Sequence, residues 1–308
     1  MACTNGVSID SSSVHTLNAD LPLDLYQQKL WFNTNIENNR VPNDNLDLNL
    51  DIRLFECDIN FHWESLDTGL TPSRKISNFF WLTLPWQKLF NNFGPIRIMD
   101  FGCSIGNYAL NFMKWTDMPF EYHGFDVRWG SLWEERSSEF QNLKFTQYKG
   151  EFGRQHMKDE FNFFMSQSAM EHVVQDLSYF RLVANYSSEI QKPNIQIHLV
   201  PSAACLELYG LHGVRQYTPR TISKISRLFP NAICTLFSLG GAACNNLHMQ
   251  AITLPAHNNG SDWRTTNLDD YEDLLEKSIL IDMTSKSFEA SFYALVIESG
   301  VSSSIFSI

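Results

Sequence analysis

One short segment of the chain carries an acid and two glycines at a spacing suited to binding a ligand. Residues 96–102 read IRIMDFG, an apolar run containing Asp100 and Gly102, and Gly106 follows just before a stretch with helical spacing. In an open parallel sheet, ligands bind beyond the carboxyl ends of the strands, where such a turn leads into a helix. Gly102 allows a tight turn with positive φ, and Gly106 allows close approach of a ligand or a helix. The segment therefore predicts a nucleotide-cofactor loop.

The spacing within this loop separates two classes of cofactor. A dinucleotide loop, G-x-G-x-x-G, would place glycines at positions 102, 104 and 107, but the chain has Ser104 and Asn107 there. The pattern D-x-G-x-G-x-G is met at Asp100, Gly102 and Gly106, with serine in place of the middle glycine. In this pattern the chain resembles the class I S-adenosylmethionine-dependent methyltransferases. The serine departs from it, and indicates either a narrowed pocket or a decayed site.

The resemblance covers residues of about 95 to 200 and implies roles for several of them. A carboxylate at Asp100 suits the ammonium group of the cofactor's amino-acid tail. Asp126, at the end of the run EYHGFDV, would accept hydrogen bonds from the ribose hydroxyls, and residues after the third strand would flank the adenine. Cys103 would pack within the loop and is not expected to be a nucleophile. The predicted cofactor-binding residues are Asp100, Gly102, Cys103, Ser104, Gly106, Asp126, Val127, Glu151, Phe152, Ser166 and Gln167.

Two residues just after the fourth apolar run, FNFFMSQS, could act on a methyl acceptor. Methyl transfer from a sulfonium needs mainly alignment, because the donor is already activated. A hydroxyl acceptor must also lose its proton, and histidine is suited to accept it near neutral pH. The predicted catalytic residues are His172, as the base, and Glu171, which could orient the acceptor, bind a metal or lie in solvent. Alternatively, His172 only caps a helix or packs beside the cofactor. No tight spacing of His, Asp and Glu demands a metal, so no metal site is predicted.

A second polar segment follows the fifth apolar run. Residues 208–219 read LYGLHGVRQYTP, which is unusually rich in histidine, arginine and tyrosine for a plain connection. The resemblance implies an acceptor-binding insert here, at about 201–222. An arginine can pair with a carboxylate or phosphate, and a tyrosine can stack on a ring. The predicted substrate-binding residues are His212, Arg215 and Tyr217; the alternative is that Arg215 bridges internal acids and the tyrosines pack in the core.

These segments need a framework that places strand ends side by side. Seven short apolar runs, the last at 291–299, alternate with helical stretches after Gly94 and Pro95, which favours α/β architecture with crossover helices. We therefore predict a doubly wound, mostly parallel seven-stranded sheet, the Rossmann-like methyltransferase fold, with an N-terminal extension. Residues 1–20 should form a disordered tail, 21–94 a mixed extension or cap, and 95–308 the cofactor-binding domain. The stretch ISNFFWLTLPWQKLFNNF should be a helix broken near Pro85.

Composition narrows the range of partners. Twenty-three Lys and Arg against 34 Asp and Glu give a net charge of -11, which disfavours a nucleic-acid substrate. The six cysteines form no C-x-x-C pair, so reduced thiols in a cytoplasmic protein are expected. No run is apolar and long enough for a membrane span, and no secretory signal is visible. These features predict a soluble cytoplasmic protein with no membrane partner; they leave its oligomeric state open.

Together these features predict an S-adenosylmethionine-dependent methyltransferase acting on an oxygen of a small polar metabolite, such as a sugar. Two alternatives stay open at this level. One is a non-catalytic binding or scaffold subunit that keeps the fold, which the serine at position 104 favours. The other is a methyltransferase that acts on protein or RNA, with the aromatic extension gripping the acceptor. Fold alone does not decide between them.

Overall fold

The computed structural model describes residues 10–12, 15–157, 160–285 and 289–307, and its central feature is one β-sheet. The strands are β1 (Leu50–Leu54), β2 (Ile96–Phe101), β3 (Phe120–Asp126), β4 (Leu143–Gln147), β5 (Phe163–Gln167), β6 (Asn194–Pro201), β7 (Ile233–Leu239) and β8 (Phe292–Ser299). They are hydrogen-bonded in the order β1-β7-β8-β6-β5-β2-β3-β4. Only β8 is antiparallel to its neighbours, lying between β6 and β7. The predicted mostly parallel α/β sheet is confirmed.

The sheet has one strand more than the seven predicted. Strands β2 to β8 correspond to the seven apolar runs, and β1 comes from the N-terminal extension, pairing in parallel with β7 from Leu50 opposite Cys234. This edge strand was missed because its residues alternate within an Asn- and Asp-rich stretch, and only Leu50 is buried. By contrast, every residue of the central strand β6 is buried, as expected for a strand that is covered on both faces.

Helices cover both faces of the sheet. They are α1 (Leu25–Arg40), α2 (Ile59–His62), α3 (Pro72–Leu82), α4 (Trp86–Phe93), α5 (Asn107–Trp115), α6 (Trp133–Glu139), α7 (Asp176–Ile190), α8 (Cys205–Tyr209), α9 (Pro219–Ser226), α10 (Ala242–His248), α11 (Leu254–Asn259), α12 (Trp263–Thr266) and α13 (Leu268–Thr284). The break between α3 and α4 falls at 83–85, as the proline there predicts. No helix in the described part of the chain is both long and apolar enough to cross a bilayer.

Two apolar layers hold the helices to the sheet. On one face, α3 to α6, α10 and α13 pack around fully buried side chains such as Phe79 and Phe112. On the other face, α7 and α9 pack around side chains such as Val183 and Ile222. This is the three-layer arrangement expected when crossover helices cover both faces of a parallel sheet. The extension takes part in it, because α3 and α4 belong to the first layer.

The segment before α1 lies against the domain where the structure describes it. Ser11 is fully buried, and its backbone N–H donates to Asp176 at 2.8 Å. The N–H of Ala19 donates to the carbonyl of Gly213 at 2.7 Å. A disordered tail therefore does not describe residues 10–12 and 15–20, because their polar groups find partners on the domain. Residues 1–9, 13 and 14, for which the same prediction was made, lie outside the described residues.

Candidate functional site

The predicted cofactor loop joins β2 to α5 and has the backbone that its glycines suggested. Gly102 and Gly106 have φ of 78° and 85°, a region that glycine enters without steric penalty. A Cβ at Gly102 would lie 2.4 Å from the Cβ of Ala169, and one at Gly106 would lie 2.4 Å from the ring of Phe145. Both glycines are thus required by the packing of the loop against neighbouring segments. Ser104 also has positive φ, 51°, which a serine adopts only with strain.

Hydrogen bonds tie this loop to the end of β3. One carboxylate oxygen of Asp126 accepts the N–H of Ser104 at 2.9 Å, and the other accepts the N–H of Arg128 at 2.9 Å. The indole of Trp133 donates to the carbonyl of Ser104 at 2.8 Å. Cys103 is buried, and a Cβ on Gly124 would lie 2.7 Å from its sulfur. Burial raises the pKa of the Cys103 thiol, in keeping with a packing residue.

Asp100, at the base of the loop, is a buried acid with one free oxygen. Its side chain is 2% exposed, and the hydroxyl of Tyr122 donates to Oδ2. No hydrogen-bond donor among the described residues reaches Oδ1. Burial raises the pKa of Asp100 to about 7. A buried carboxylate oxygen without a partner is energetically unfavourable, and a cationic ligand group beside it would relieve that cost.

The other predicted cofactor residues divide between the surface and the core. Val127 is exposed, as is Glu151, whereas Phe152 packs edge-on against Phe101 with ring centroids 5.1 Å apart. Ser166 is fully buried and hydrogen-bonded to the imidazole of His198 at 2.8 Å. A direct cofactor contact from Ser166 is therefore wrong, because its hydroxyl is enclosed in the sheet.

A cavity of about 490 Å³ opens beside the carboxyl ends of β5 and β6. Residues from several distant segments line it: Gly69, Leu70, Thr71, Ser73, Arg74, Ser77, Gln167, Ser168, Glu171, His172, Pro201, Tyr209, His212, Arg264 and Phe292. Gln167, assigned to the cofactor by the sequence, faces this cavity, and its side-chain oxygen accepts the Trp81 indole N–H at 2.8 Å. The N-terminal extension supplies residues 69–77 of the wall, so it helps to enclose the space.

Glu171 and His172 lie in a short 3-10 turn on this cavity wall. The Nδ1 of His172 is hydrogen-bonded to the carboxylate of Asp20, and its Nε2 is 3.8 Å from Oε1 of Glu171. Glu171 is only 1% exposed, and its Oε2 has no partner among the described residues. Burial raises the pKa of Glu171 to about 7. A solvent position for Glu171 is therefore excluded.

His212 approaches the same pair from the loop after α8. Its ring packs edge-on against that of His172, with centroids 4.8 Å apart. The backbone holds the two segments together, because the N–H of Val214 donates to the carbonyl of Glu171 at 2.8 Å. Each of Glu171, His172 and His212 offers one atom that could ligate a metal, and these three atoms lie within 4.8 Å of one another. No spacing in the sequence reveals this group, since His212 comes 40 residues after His172.

Comparison with known proteins adds structural likenesses only. No family model and no curated protein matches the sequence. A methyltransferase from Archaeoglobus fulgidus, described as SAM-dependent, is 14% identical, with 79% of this chain and 100% of that chain aligned at a TM-score of 0.42. The plantazolicin methyltransferase BamL is 11% identical, with 79% and 90% aligned at 0.42. The cyclase SpnF is 11% identical, with 70% and 79% aligned at 0.42.

The strand order, rather than these likenesses, decides the fold. Strands β2 to β8 lie in the order β7-β8-β6-β5-β2-β3-β4, with the last strand of the chain inserted antiparallel between β6 and β7. This is the Rossmann-like methyltransferase fold. In this fold the chain reverses its direction of winding between β2 and β5, and ligands of doubly wound sheets bind at such a switch point. The loop at 102–106 and the turn at 168–172 flank it.

Two of the predicted substrate residues lie away from the cavity. Arg215 is fully buried, with its guanidinium 3.4 Å from Asp176 and 3.0 Å from Asp10. Tyr217 is fully buried as well, and its hydroxyl donates to Asp176 at 3.0 Å. Acceptor binding by Arg215 and Tyr217 is therefore wrong, because internal partners occupy their polar groups. His212 alone of the three reaches the cavity wall.

Two site residues were missed by the sequence reasoning. Asp20 was assigned to the tail, and nothing in its neighbourhood signals a contact with a histidine so far along the chain. Arg74 lines the cavity from α3, and its guanidinium donates to the hydroxyl of Tyr108 at 2.9 Å. That hydroxyl donates in turn to Asn78 at 2.8 Å. The extension was read only as a possible cover, so the polar residues that it contributes to the wall went unrecognised.

Proposed function

We propose that this protein is an S-adenosylmethionine-dependent methyltransferase that methylates an oxygen of a small polar molecule, such as a sugar. One observation carries the proposal. The unpartnered oxygen of Asp100 and the carboxylate of Asp126 lie towards the ends of the adjacent parallel strands β2 and β3. The strand on the other side of β2 is β5, and it ends at the cavity that Glu171 and His172 line. A cation-binding end and a proton-accepting end would thus lie on the two sides of the switch point, and we infer that they form one crevice when the cofactor is bound.

The residues at the first end fit this cofactor. The free Oδ1 of Asp100 would accept the ammonium group of the methionine tail, and this interaction would relieve a buried acceptor that lacks a partner. Asp126 would hold the ribose hydroxyls beside the loop that it already anchors. Val127 and Trp129 follow directly and expose 53% and 56% of their surfaces, which makes them suited to cover an adenine. When bound, the cofactor supplies a methyl group on a positively charged sulfur.

The residues at the second end suit the acceptor. The carboxylate of Asp20 is suited to accept a hydrogen bond from Nδ1 of His172, and in that tautomer Nε2 has the lone pair. In the reaction a bond forms between the acceptor oxygen and the methyl carbon, the carbon–sulfur bond breaks, and its electron pair stays on sulfur. The hydroxyl proton must leave. The Nε2 lone pair can accept it directly, or it can hold a cation that makes the hydroxyl more acidic.

The dimensions and polarity of the cavity support a small acceptor. Its volume of about 490 Å³ falls in the range of roughly 300–1,000 Å³ typical of small-molecule sites. Hydroxyl, amide, imidazole and guanidinium groups line it, among them Ser73, Gln167, His212 and Arg264. The net charge of -11 gives no general attraction for a nucleic-acid acceptor. The five cysteines in the described residues are free, which fits the proposed cytoplasmic location.

Isothermal titration calorimetry with S-adenosylmethionine tests this function. The wild-type chain should bind one equivalent. The variant Asp126→Ala should bind about 10- to 100-fold more weakly, because it loses charge-assisted hydrogen bonds to the ribose. Asp117→Ala is the matched control, since Asp117 is an exposed acid at the opposite end of β3, and its affinity should equal that of the wild type.

Melting curves establish that both variants are folded before titration. The enzyme proposal fails if the wild-type chain shows no binding at millimolar cofactor. If the cofactor binds but Asp126→Ala retains full affinity, the assignment of the ribose site is wrong. A crystal structure with the demethylated cofactor product would then show which side chains surround the sulfur and, beyond it, the open part of the cavity.

A further inference from the structure

We propose that Glu171, His172 and His212 form a binding site for a divalent transition-metal ion such as Zn²⁺ on the wall of the cavity. Each residue offers one ligand atom, and these atoms lie within 4.8 Å of one another. Zinc holds nitrogen and oxygen ligands at about 2.0–2.2 Å, which sets them roughly 3.5 Å apart. A small rotation of the exposed His212 side chain would close the difference.

The set of ligands selects the class of metal. Two imidazoles and one carboxylate suit zinc and its first-row neighbours, whereas magnesium and calcium prefer oxygen ligands throughout. Three protein ligands also leave a position open, as in catalytic zinc sites, while structural sites have four. The open position would face the cavity, since all three residues line it. A metal at this point could therefore contact a molecule bound there.

A second observation points independently to a cation. The Glu171 side chain is only 1% exposed, and its Oε2 atom has no hydrogen-bond partner among the described residues. Among the buried acids of the described chain, Asp176 contacts Arg215 at 3.4 Å and Asp282 accepts two backbone N–H groups, whereas Glu171 and Asp100 each keep one side-chain oxygen without a partner. No lysine or arginine among the described residues forms an ion pair with Glu171. A bound cation would satisfy this carboxylate from the cavity side.

The surroundings of the three residues hold them in place for this role. Asp20 is placed to accept a hydrogen bond from Nδ1 of His172, which would leave Nε2 to bind a metal; ligand histidines usually donate their other ring N–H to a carboxylate, a backbone carbonyl or water. Gly213 follows His212 with φ of 60°, and a Cβ there would lie 2.9 Å from the carbonyl oxygen of Glu171. The backbone N–H of Gly213 donates to the carboxylate of Asp20 at 3.3 Å. The glycine therefore lets the two segments approach closely enough to share one ion.

This site deepens the proposed function and, for its catalytic role, rests on it. An acceptor hydroxyl in the open position would be made more acidic by the metal, and its proton would pass to water in the open cavity. The oxygen would then form a bond to the methyl carbon while the carbon–sulfur bond broke and its electrons remained on sulfur. His172 would act here as a ligand, and the metal would take over activation of the hydroxyl.

Calorimetric titration of the full chain with Zn²⁺ tests the site directly. The sample has no affinity tag, so no tag binds the metal. Any bound metal is first removed with a chelator, and the chelator is removed before the titration. We expect one equivalent to bind. His212→Ala should reduce affinity more than about 100-fold, since losing a ligand should exceed the roughly 10- to 100-fold effect of losing an outer partner. Asp20→Asn should reduce it about tenfold or more, because it disturbs the orientation of His172.

His257→Ala is the matched control, because His257 is exposed on α11 and does not line the cavity. It should bind Zn²⁺ as the wild type does. Absence of stoichiometric binding, or equal affinity in the wild type and His212→Ala, overturns the metal site. Titration of the same samples with S-adenosylmethionine separates the two proposals. Cofactor binding without Zn²⁺ binding leaves His172 as a direct base, whereas Zn²⁺ binding without cofactor binding refutes the methyltransferase function alone.

Discussion

The two ends of the proposed crevice are built in different ways. The cofactor end lies within one continuous stretch, from Asp100 in β2 to Asp126 in β3, and adjacent parallel strands bring its acids together. The acceptor end brings together Asp20, Arg74, the turn at 171–172 and His212, which come from four distant parts of the chain. A site made of one supersecondary unit leaves a pattern in the sequence. A site assembled across the fold depends on tertiary packing and leaves none.

The largest predicted effect is on the free energy of unfolding, and it concerns the buried ion pair of Arg215 and Asp176 behind the acceptor end. We predict that Arg215→Met lowers the free energy of unfolding by about 3–5 kcal/mol, because Asp176 would keep a buried charge without its partner. Denaturant unfolding measures the loss. Lys192→Met is the control: Lys192 and Glu160 are both mostly exposed, so their pair should contribute less than about 1 kcal/mol.

The same variant tests whether Arg215 has only a structural role. S-adenosylmethionine affinity of the folded Arg215→Met protein should equal that of the wild type, since the guanidinium lies behind the acceptor end and away from the cofactor loop. A small change in the free energy of unfolding would show that Arg215 does not stabilise the acceptor end as its contacts indicate. A large change in cofactor affinity would show that the two ends are coupled.

The next largest effect concerns Asp100, at the cofactor end. Burial raises its pKa from 3.8 to about 7 in the folded protein, so the folded state keeps a proton that the unfolded state releases above about pH 4. Without cofactor, this group therefore favours folding at low pH, and its contribution is lost as the pH rises from about 4 to 7. Asp100→Asn removes this dependence while still accepting the hydrogen bond from Tyr122.

Unfolding free energies of the wild type and Asp100→Asn, measured from pH 4 to pH 8 without cofactor, check the prediction. The free energy of unfolding of the variant, relative to that of the wild type, should rise by about 4 kcal/mol from pH 4 to pH 8. Parallel curves for the two proteins would mean that the carboxyl group is already charged or solvated in the folded state. In that case the cofactor end would not hold a free acid ready for an ammonium group.

How far the sequence predicted each part follows from the same contrast. The seven apolar runs predicted strands β2 to β8, and the acid-glycine spacing placed the loop, because both are local patterns. The edge strand β1 was missed because its polar residues mask it, and Ser166 was misassigned because position at a strand end does not reveal which way a hydroxyl points. The prediction that Arg215 binds the acceptor is wrong because a sequence does not show that Asp176 neutralises the guanidinium. Asp20 had no local signal at all.

The smallest expected effect compares two serines, one on each side of the switch point. Ser104 has φ of 51° and Ser168 has φ of 50°, a conformation that costs a non-glycine residue roughly 1 kcal/mol. Ser104→Gly should raise the free energy of unfolding by about 0.5–1 kcal/mol, since glycine enters this region freely. Ser168→Gly should gain less, because its hydroxyl accepts a hydrogen bond from Gln167 at 3.2 Å. Denaturant unfolding measures both changes.

Cofactor titration of these two variants then sharpens the comparison. Ser104 is exposed in the cofactor loop, so its removal should widen the pocket and tighten S-adenosylmethionine binding by a few-fold at most. Ser168 lines the acceptor cavity, so its removal should leave cofactor affinity unchanged. An equal effect of the two variants on cofactor affinity would mean that the crevice responds as one unit, and the separation of the two ends would not hold. If Ser104→Gly instead weakens binding, the serine contributes a contact of its own, and its place in the loop is an adaptation rather than a defect.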